Sequence, residues 1–136
     1  MSTTPATARM VELSGAEALW LVEGSRLGRL VLVQRELAVV RPAGHALEYG
    51  RLVVRTPVQG AAVPTTATYQ VDEVREASGT GWTVNVTGPA DIVTDPHEVA
   101  HHRRTLTGWT HGPHDTILRI QPRTVTGFRL TGRADS

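Results

Sequence analysis

The stretch TATYQVDEVREASGTGWTVNVTG, positions 66–88, carries two alternating segments on either side of a glycine-containing turn. In the first segment Tyr69 and Val71 alternate with polar neighbours, and in the second Val84 and Val86 do the same. A period of two places apolar side chains on one face of a strand and polar side chains on the other. Because the glycines of the turn separate the two segments, the stretch predicts two neighbouring antiparallel strands.

Similar segments recur on both sides of this stretch at the spacing of hairpins. Short apolar runs occupy positions 30–33 and 37–40 around a polar turn, and two further segments flank Gly50. The chain closes with segments at 116–120 and 124–130. This makes about seven short strands. Their order predicts a mainly β fold with two or so short helices, a small closed or nearly closed antiparallel β-barrel.

The two helices have recognisable starts. Ser14 and Glu17 have the spacing of a capping box, so the first helix is predicted to begin there and to end at the next glycine. Asp95, followed by a proline, begins the second helix, which is predicted to run to about position 105. In this helix Glu98 is expected to reach back to the cap.

The composition excludes several kinds of chemistry. The basic residues number 14, all of them arginine, and the chain contains no lysine and no cysteine. A Schiff-base lysine, a Walker lysine, a thiol nucleophile and a disulfide are therefore ruled out. The formal net charge of +1 argues against a nucleic-acid or membrane partner.

The length of 136 residues is that of one domain. We expect residues 13–131 to form this domain, with 1–12 and 132–136 as disordered or frayed tails. No stretch approaches the 18 or so apolar residues of a membrane span, and the N-terminus lacks a signal-peptide pattern. The protein is therefore expected to be cytoplasmic.

The pentapeptide from His97 to His101 matches HExxH, the pattern of zinc-protease helices. A zinc ion there would take His97, His101 and either His111 or His114 as ligands. Against this, Glu98 already has a predicted role at the helix cap, and His97 lies in the first turn, where the helix dipole disfavours a cation. We interpret the pattern as exposed helix surface and predict no metal site, with a zinc hydrolase as the remote alternative.

Other histidines and arginines are ambiguous. His102, Arg103 and Arg104 extend the polar face of the second helix, and we interpret them as a solvated surface. His45 follows a glycine at a strand junction, where it lines a pocket or occupies a surface turn. The sequence leaves both alternatives open.

Arg55 and Thr56 close an apolar strand and enter a loop that contains Gly60. An arginine fork, a hydroxyl and free backbone N–H groups form a phosphate cradle in chemical terms, although a solvated edge arginine is the alternative.

Trp82 opens a strand, where a tryptophan is usually part of the core. Trp109 lies in a glycine-flanked loop, where a dimer partner or a flat heterocycle would bury it.

Several short motifs occur in an order shared by a known family. They are Leu13-Ser14-x-x-Glu17, Gly28-Arg29-Leu30, Leu52-Val53-Val54-Arg55-Thr56, GWTVNVTG at 81–88, Thr94-Asp95-Pro96, Trp109, His111-Gly112-Pro113 and Ile120-x-Pro122-x-x-Val125-Thr126-Gly127. On these residues, which span roughly 13–130, the chain resembles the pyridoxamine 5′-phosphate oxidase-like family, the flavin-binding split β-barrels, in its short actinobacterial branch.

The resemblance implies a homodimer with two cofactor sites at the subunit interface. It implies FMN as the cofactor, with the related deazaflavin coenzyme as the second choice. By position, the implied site comprises Pro42, Ala43 and Gly44 along the isoalloxazine ring, Arg55 and Thr56 at the phosphate, Gly60 and Ala61 in the phosphate loop, and Trp82 and Trp109 near the site or the dimer seam.

Two positions depart from the family pattern. The lysine that usually contacts the phosphate falls near Ala61, and the usual asparagine near the ring falls on Gly44. Losing a cationic hydrogen bond of about 1.5–3 kcal/mol would weaken cofactor binding by about tenfold to a hundredfold.

The first hypothesis is a flavin- or deazaflavin-dependent oxidoreductase with an unknown small-molecule substrate. The alternative is a non-enzymatic split barrel that binds flavin, haem or another small ligand.

Overall fold

A computed structural model describes residues 7–132 of the chain. Its regular elements are β1 (Arg9–Glu12), α1 (Gly15–Glu23), β2 (Leu27–Gln34), β3 (Leu37–Glu48), β4 (Arg51–Thr56), a 3₁₀ turn (Gly60–Ala62), β5 (Thr66–Val74), β6 (Gly81–Ile92), α2 (Pro96–Thr105), β7 (Thr116–Ile120) and β8 (Thr124–Thr131).

Six of the strands close into a barrel. Antiparallel pairing runs from β6 through β5, β2, β3 and β4 to β7, and β7 returns to β6. β8 pairs with β6 outside this ring, and β1 pairs with β8. The prediction of a mainly β barrel with two helices is confirmed. The stretch at 66–88 forms the β5–β6 hairpin, with Tyr69 opposite Val86.

The barrel splits where β6 changes partners. The first part of β6 pairs with β8, and its last three residues pair with β7. Between these parts the connection from β7 to β8 crosses the strand so closely that a Cβ on Gly88 would overlap the carbonyl oxygen of Gln121. The N–H of Gln121 donates to the carbonyl of Pro89 at 2.9 Å. Glycine is therefore required at the point of divergence.

Two apolar clusters stabilise the fold. The main core fills the barrel and takes in one face of α1; its largest fully buried side chains include Leu30, Tyr69, Leu118 and Ile120. A smaller cluster comprises Val53, Val93, Leu106 and Ile117. Because this cluster joins β4 and β7 to the end of α2, it fixes α2 against the outside of the barrel.

Both helix starts are confirmed by their hydrogen bonds. The N–H of Glu17 donates to Ser14 Oγ at 3.1 Å, and the N–H of Glu98 donates to Asp95 Oδ2 at 3.0 Å. The expectation that the Glu98 carboxylate returns to the cap is wrong. Its Oε1 accepts from Arg119 Nη2 at 2.9 Å, because α2 lies across β7 and brings this cation within reach.

Part of the expected N-terminal tail is structured. Arg9–Glu12 pair with β8, with Arg9 opposite Thr131 and Glu12 opposite Phe128. The expectation that 1–12 form a tail is therefore wrong for these four residues, because the outer edge of β8 offers backbone groups that need partners. Residues 1–6 and 133–136 lie outside the described residues. Within 7–132, no helix is long and apolar enough to cross a membrane.

Candidate cofactor site

The register of β3 and β4 brings together the two segments expected to hold the ring and the phosphate. Gly44 lies opposite Arg55, and Thr56 Oγ1 donates to the carbonyl oxygen of Pro42 at 3.1 Å. Ala43 points into the main core and is fully buried. The segments that the resemblance assigns to one cofactor are therefore neighbours in the fold, although they are separated by a hairpin in the sequence.

Arg55 is held by several groups of its own chain. Its Nε and Nη2 donate to the two carboxylate oxygens of Asp115, each at 3.1 Å. Its Nη1 donates to the carbonyl oxygens of Arg103 and Leu106, each at 3.0 Å. These carbonyls lie at the end of α2, where backbone acceptors lack helical partners and a cation is favoured. Arg55 thus caps α2 and ties it to β4.

This arrangement leaves Arg55 little capacity for a ligand. The four hydrogen bonds use four of the five N–H donors of a guanidinium. The side chains of Arg55 and Asp115 are only 16% and 15% exposed. The Thr56 hydroxyl is likewise bonded to Pro42 and fully buried. Their role at a cofactor phosphate stays a prediction, while their role in the single chain is structural.

The loop after α2 covers the same face of the sheet. A Cβ on Gly44 would overlap the carbonyl oxygen of Thr107, and a Cβ on Gly108 would overlap the guanidinium of Arg55. An asparagine, as in the family pattern, would therefore not fit at position 44 of this chain. The backbone at Thr107 occupies the space that a side chain would need.

An open depression lies beside these segments, next to the loop that follows Thr56. It has a volume of about 250 Å³ and is lined by Gln34, Val39, Arg41, Pro57, Val58, Gln59, Ala62, His111 and His114. Arg41 is exposed, and its guanidinium donates to the carbonyl of Val40 at 3.0 Å. It supplies a cation beside the loop where the expected lysine is absent. Sequence reasoning missed it because its proximity to that loop depends on the pairing of β3 with β4.

A buried histidine–tyrosine pair supports the strand behind this surface. His45 Nδ1 lies 2.6 Å from the Tyr69 hydroxyl, and His45 Nε2 lies 3.0 Å from the carbonyl oxygen of Val22. Burial lowers the pKa of His45 and raises the pKa of Tyr69. Since the Val22 carbonyl can only accept, the neutral ring donates from Nε2 and accepts the tyrosine proton at Nδ1. The surface-turn alternative for His45 is wrong, because this side chain is only 3% exposed.

The two tryptophans of the expected site lie apart. Trp82 is the second residue of β6, is 8% exposed and packs in the main core between strands β5 and β8. The structure does not bring it to Arg55 within one chain. Trp109 follows Gly108, which contacts Arg55, and is 41% exposed. Trp109 therefore borders the candidate site.

The histidines do not assemble the HExxH ligand set. His97 is exposed, in agreement with its interpretation as helix surface. His111 and His114 pair with each other, with ring centroids 6.0 Å apart, in the depression beside Arg41. The prediction that His102 is solvated is wrong, because it is 3% exposed. Its position three residues after Val99 turns it toward the barrel.

These features define a class of protein. A six-stranded barrel in which one strand, β6, divides between two partners is a split β-barrel. A sequence profile described as pyridoxamine 5′-phosphate oxidase matches residues 14–129. The chain therefore belongs to the pyridoxamine 5′-phosphate oxidase family, as the resemblance predicts.

Three proteins similar to this chain come from Mycobacterium and Corynebacterium species. The chain is 36% identical to an uncharacterised protein of Mycobacterium tuberculosis, across 98% of this chain and 93% of that one. It superposes with a TM-score of 0.72 on a Corynebacterium glutamicum protein provisionally named a pyridoxamine 5′-phosphate oxidase, at 26% identity over 90% of this chain and 99% of that one. The FAD-binding protein of Mycobacterium smegmatis superposes with a TM-score of 0.68, at 25% identity over 89% and 98% of the two chains.

Proposed function

We propose that this protein binds a flavin nucleotide beside the β3–β4 surface and uses it to oxidise or reduce a small molecule. The observation that carries the proposal is the register that sets Gly44 against Arg55 and Thr56 against Pro42, next to the exposed cation of Arg41. Family membership and the FAD-binding relative support a flavin. FMN is the first candidate, and FAD and the deazaflavin coenzyme are the alternatives.

The phosphate end of the cofactor fits the depression beside Arg41. Arg41 has donors left for an anion, and the amides of Gln34 and Gln59 line the same space. Arg55 contributes through its remaining N–H and through the position that it gives to α2. In this proposal Arg41 replaces the lysine that the family pattern places near Ala61.

The ring end would lie against the exposed Pro42 and the side chain of Trp109. A bound flavin would supply the hydride-transfer chemistry. The residues of this chain would bind and orient it and keep water from one face. A depression of about 250 Å³ is smaller than the roughly 300–1,000 Å³ of ligand pockets. The size favours a site that a second copy of the chain completes.

An apolar face of the β2–β3 hairpin is suited to that second copy. Val31 lies opposite Val40 and Val33 opposite Ala38 on this face. Val33 and Val40 are 70% and 46% exposed. Burying such a face removes apolar surface from water at roughly 25 cal/mol per Å². We infer a homodimer that uses this hairpin.

The spectrum of the purified protein tests the flavin proposal. We expect a flavin or deazaflavin absorption band, and mass spectrometry of the released ligand identifies which one. Arg41→Ala is expected to raise the Kd of the added cofactor by about tenfold or more, the value of one charged hydrogen bond. Arg104→Ala removes the same charge from the exposed face of α2 and is the matched control. A colourless protein that binds FMN, FAD and deazaflavin no better than millimolar would overturn the proposal.

A second candidate is a non-enzymatic binding protein for flavin, haem or another flat ligand. Two observations favour it: Ala61 stands in place of a lysine, and the guanidinium of Arg55 is hydrogen-bonded to Asp115 of its own chain. Both reduce the number of cations free for a phosphate. Tight binding of a flat ligand other than a flavin would favour this candidate, and a Soret band would identify that ligand as haem.

A further inference from the structure

Glu48, His101 and His102 form a cluster of metal-ligating side chains away from the flavin depression. Each offers one ligand atom, and the three atoms lie within 4.8 Å of one another. The imidazole centroids of His101 and His102 are 5.2 Å apart, with ring planes at 64°. It is the one such group of three among residues 7–132.

The cluster joins two elements that are distant in sequence. Glu48 is the last residue of β3, and the histidines lie in the C-terminal half of α2, with His102 in its last turn. Side chains of consecutive helical residues diverge by about 100°, so two neighbouring histidines do not ordinarily converge. Here both histidines nevertheless bring a ring nitrogen within 4.8 Å of a carboxylate oxygen of Glu48. A cation at the C-terminal turn of a helix is also favoured by the helix dipole.

The ring of His102 carries a buried nitrogen that lacks a hydrogen-bond partner in the described part of the chain. The side chain is 3% exposed, and the nitrogen is its Nδ1. Buried polar nitrogens are nearly always paired. Burial lowers the pKa of His102 below its ordinary value.

The carboxylate of Glu48 is also available to bind an ion. No hydrogen bond or ion pair within residues 7–132 engages its carboxylate, although Arg51 lies opposite it in the β3–β4 register. The surrounding depression has a volume of about 420 Å³ and is open to solvent on the side of His97 and Tyr49. There is room for an ion together with water.

We propose that Glu48, His101 and His102 bind a divalent transition-metal ion of the zinc class. Two imidazole nitrogens and one carboxylate oxygen are a ligand set that Zn²⁺ prefers, with a fourth position left to water or a small ligand. The ion would link the end of β3 to α2. This set shares only His101 with the HExxH pattern, since Glu98 is paired with Arg119 and His97 is not a member.

The test is a calorimetric titration of the full, tag-free chain with Zn²⁺ after chelator treatment. We expect one ion per chain with a micromolar or lower Kd, and a rise in melting temperature with added Zn²⁺. Glu48→Gln and His101→Ala are expected to weaken binding by about tenfold or more. These residues are less buried than His102, so the test does not depend on the folding of a His102 variant.

Matched variants distinguish this site from a zinc site at the HExxH pattern or at the His111–His114 pair. His97→Ala and His114→Ala are expected to leave the Zn²⁺ affinity unchanged. Arg51→Gln is expected to tighten binding about two- to fivefold by removing a nearby positive charge. A protein that binds no stoichiometric Zn²⁺, or one whose binding depends on His97 and not on Glu48, overturns the proposal. The flavin spectrum of the same variants reports independently on the proposed function.

Discussion

At the scale of single residues, the role of Arg55 in the folded chain differs from the role that its sequence position predicts. By position it matches a phosphate ligand, yet in the folded chain it caps α2 through two carbonyls and forms a bidentate pair with Asp115. Both partners are distant in sequence. In the folded chain the residue therefore acts as a structural clamp between β4, α2 and Asp115.

Removing the carboxylate partner of Arg55 should destabilise the protein. Asp115→Ala is expected to lower the free energy of unfolding by about 3 kcal/mol, because it leaves a largely buried guanidinium without its counter-charge. Urea denaturation followed by circular dichroism measures this. Asp91→Ala, at an exposed acidic position on β6, is the control and should change little. Equal stability of the Asp115 variant and the wild type would contradict the clamp.

The buried His45 predicts a pH dependence of stability. Because burial lowers its pKa in the folded state, the unfolded chain takes up the proton first. Stability is therefore retained above the unfolded pKa of about 6.5 and lost as the pH falls below it. One such histidine contributes a slope of up to about 1.4 kcal/mol per pH unit.

Thermal unfolding between pH 7.5 and 5 measures that slope. In His45→Gln this contribution is expected to disappear, although the variant is less stable near pH 7.5 because Tyr69 and Val22 lose the imidazole as a partner. An unchanged slope in the variant would show that His45 does not carry the effect.

At the scale of elements, the division of β6 between two partners depends on Gly88. Gly88→Ala is expected to lower the free energy of unfolding by about 3 kcal/mol, because the new methyl group meets the backbone of Gln121 and not a movable side chain. Gly15→Ala is the control. Nothing lies within 4 Å of a Cβ there, and alanine in the first turn of α1 should be neutral or stabilise by up to about 1 kcal/mol.

The elements themselves were largely predictable. The segment predicted at 116–120 has the bounds of β7, the stretch at 66–88 forms the β5–β6 hairpin, and the Ser14 and Asp95 caps define both helix starts. These signals act over two to four residues, so the sequence carries them directly. The strand at Arg9–Glu12 was missed, because four residues with no buried side chain form a strand only when β8 is beside them.

At the scale of the whole molecule, the exposed apolar face of the β2–β3 hairpin predicts an assembly. Val33→Glu is expected to convert the proposed dimer into a monomer, because a charge placed at the centre of an apolar interface is costly to desolvate. Multi-angle light scattering after gel filtration measures the mass. Val74→Glu changes an apolar residue of 50% exposure elsewhere and is the control.

The cofactor should respond to the same change. If two chains complete each site, the monomeric Val33→Glu variant also loses affinity for flavin, while Val74→Glu retains it. A variant that stays dimeric, or a monomer with full affinity, would contradict the inferred interface.

The barrel class, the helix starts and the family could be predicted from the amino-acid sequence, because alternation, capping and motif order are short-range or collinear signals. The side chains that meet could be identified only from the folded chain: Arg55 with Asp115, His45 with Tyr69, and Glu48 with His101 and His102. The members of each group come from strands and helices far apart in the chain. Their contacts depend on the sheet register and on where α2 packs against the barrel. Neither of these can be predicted from a short-range sequence pattern.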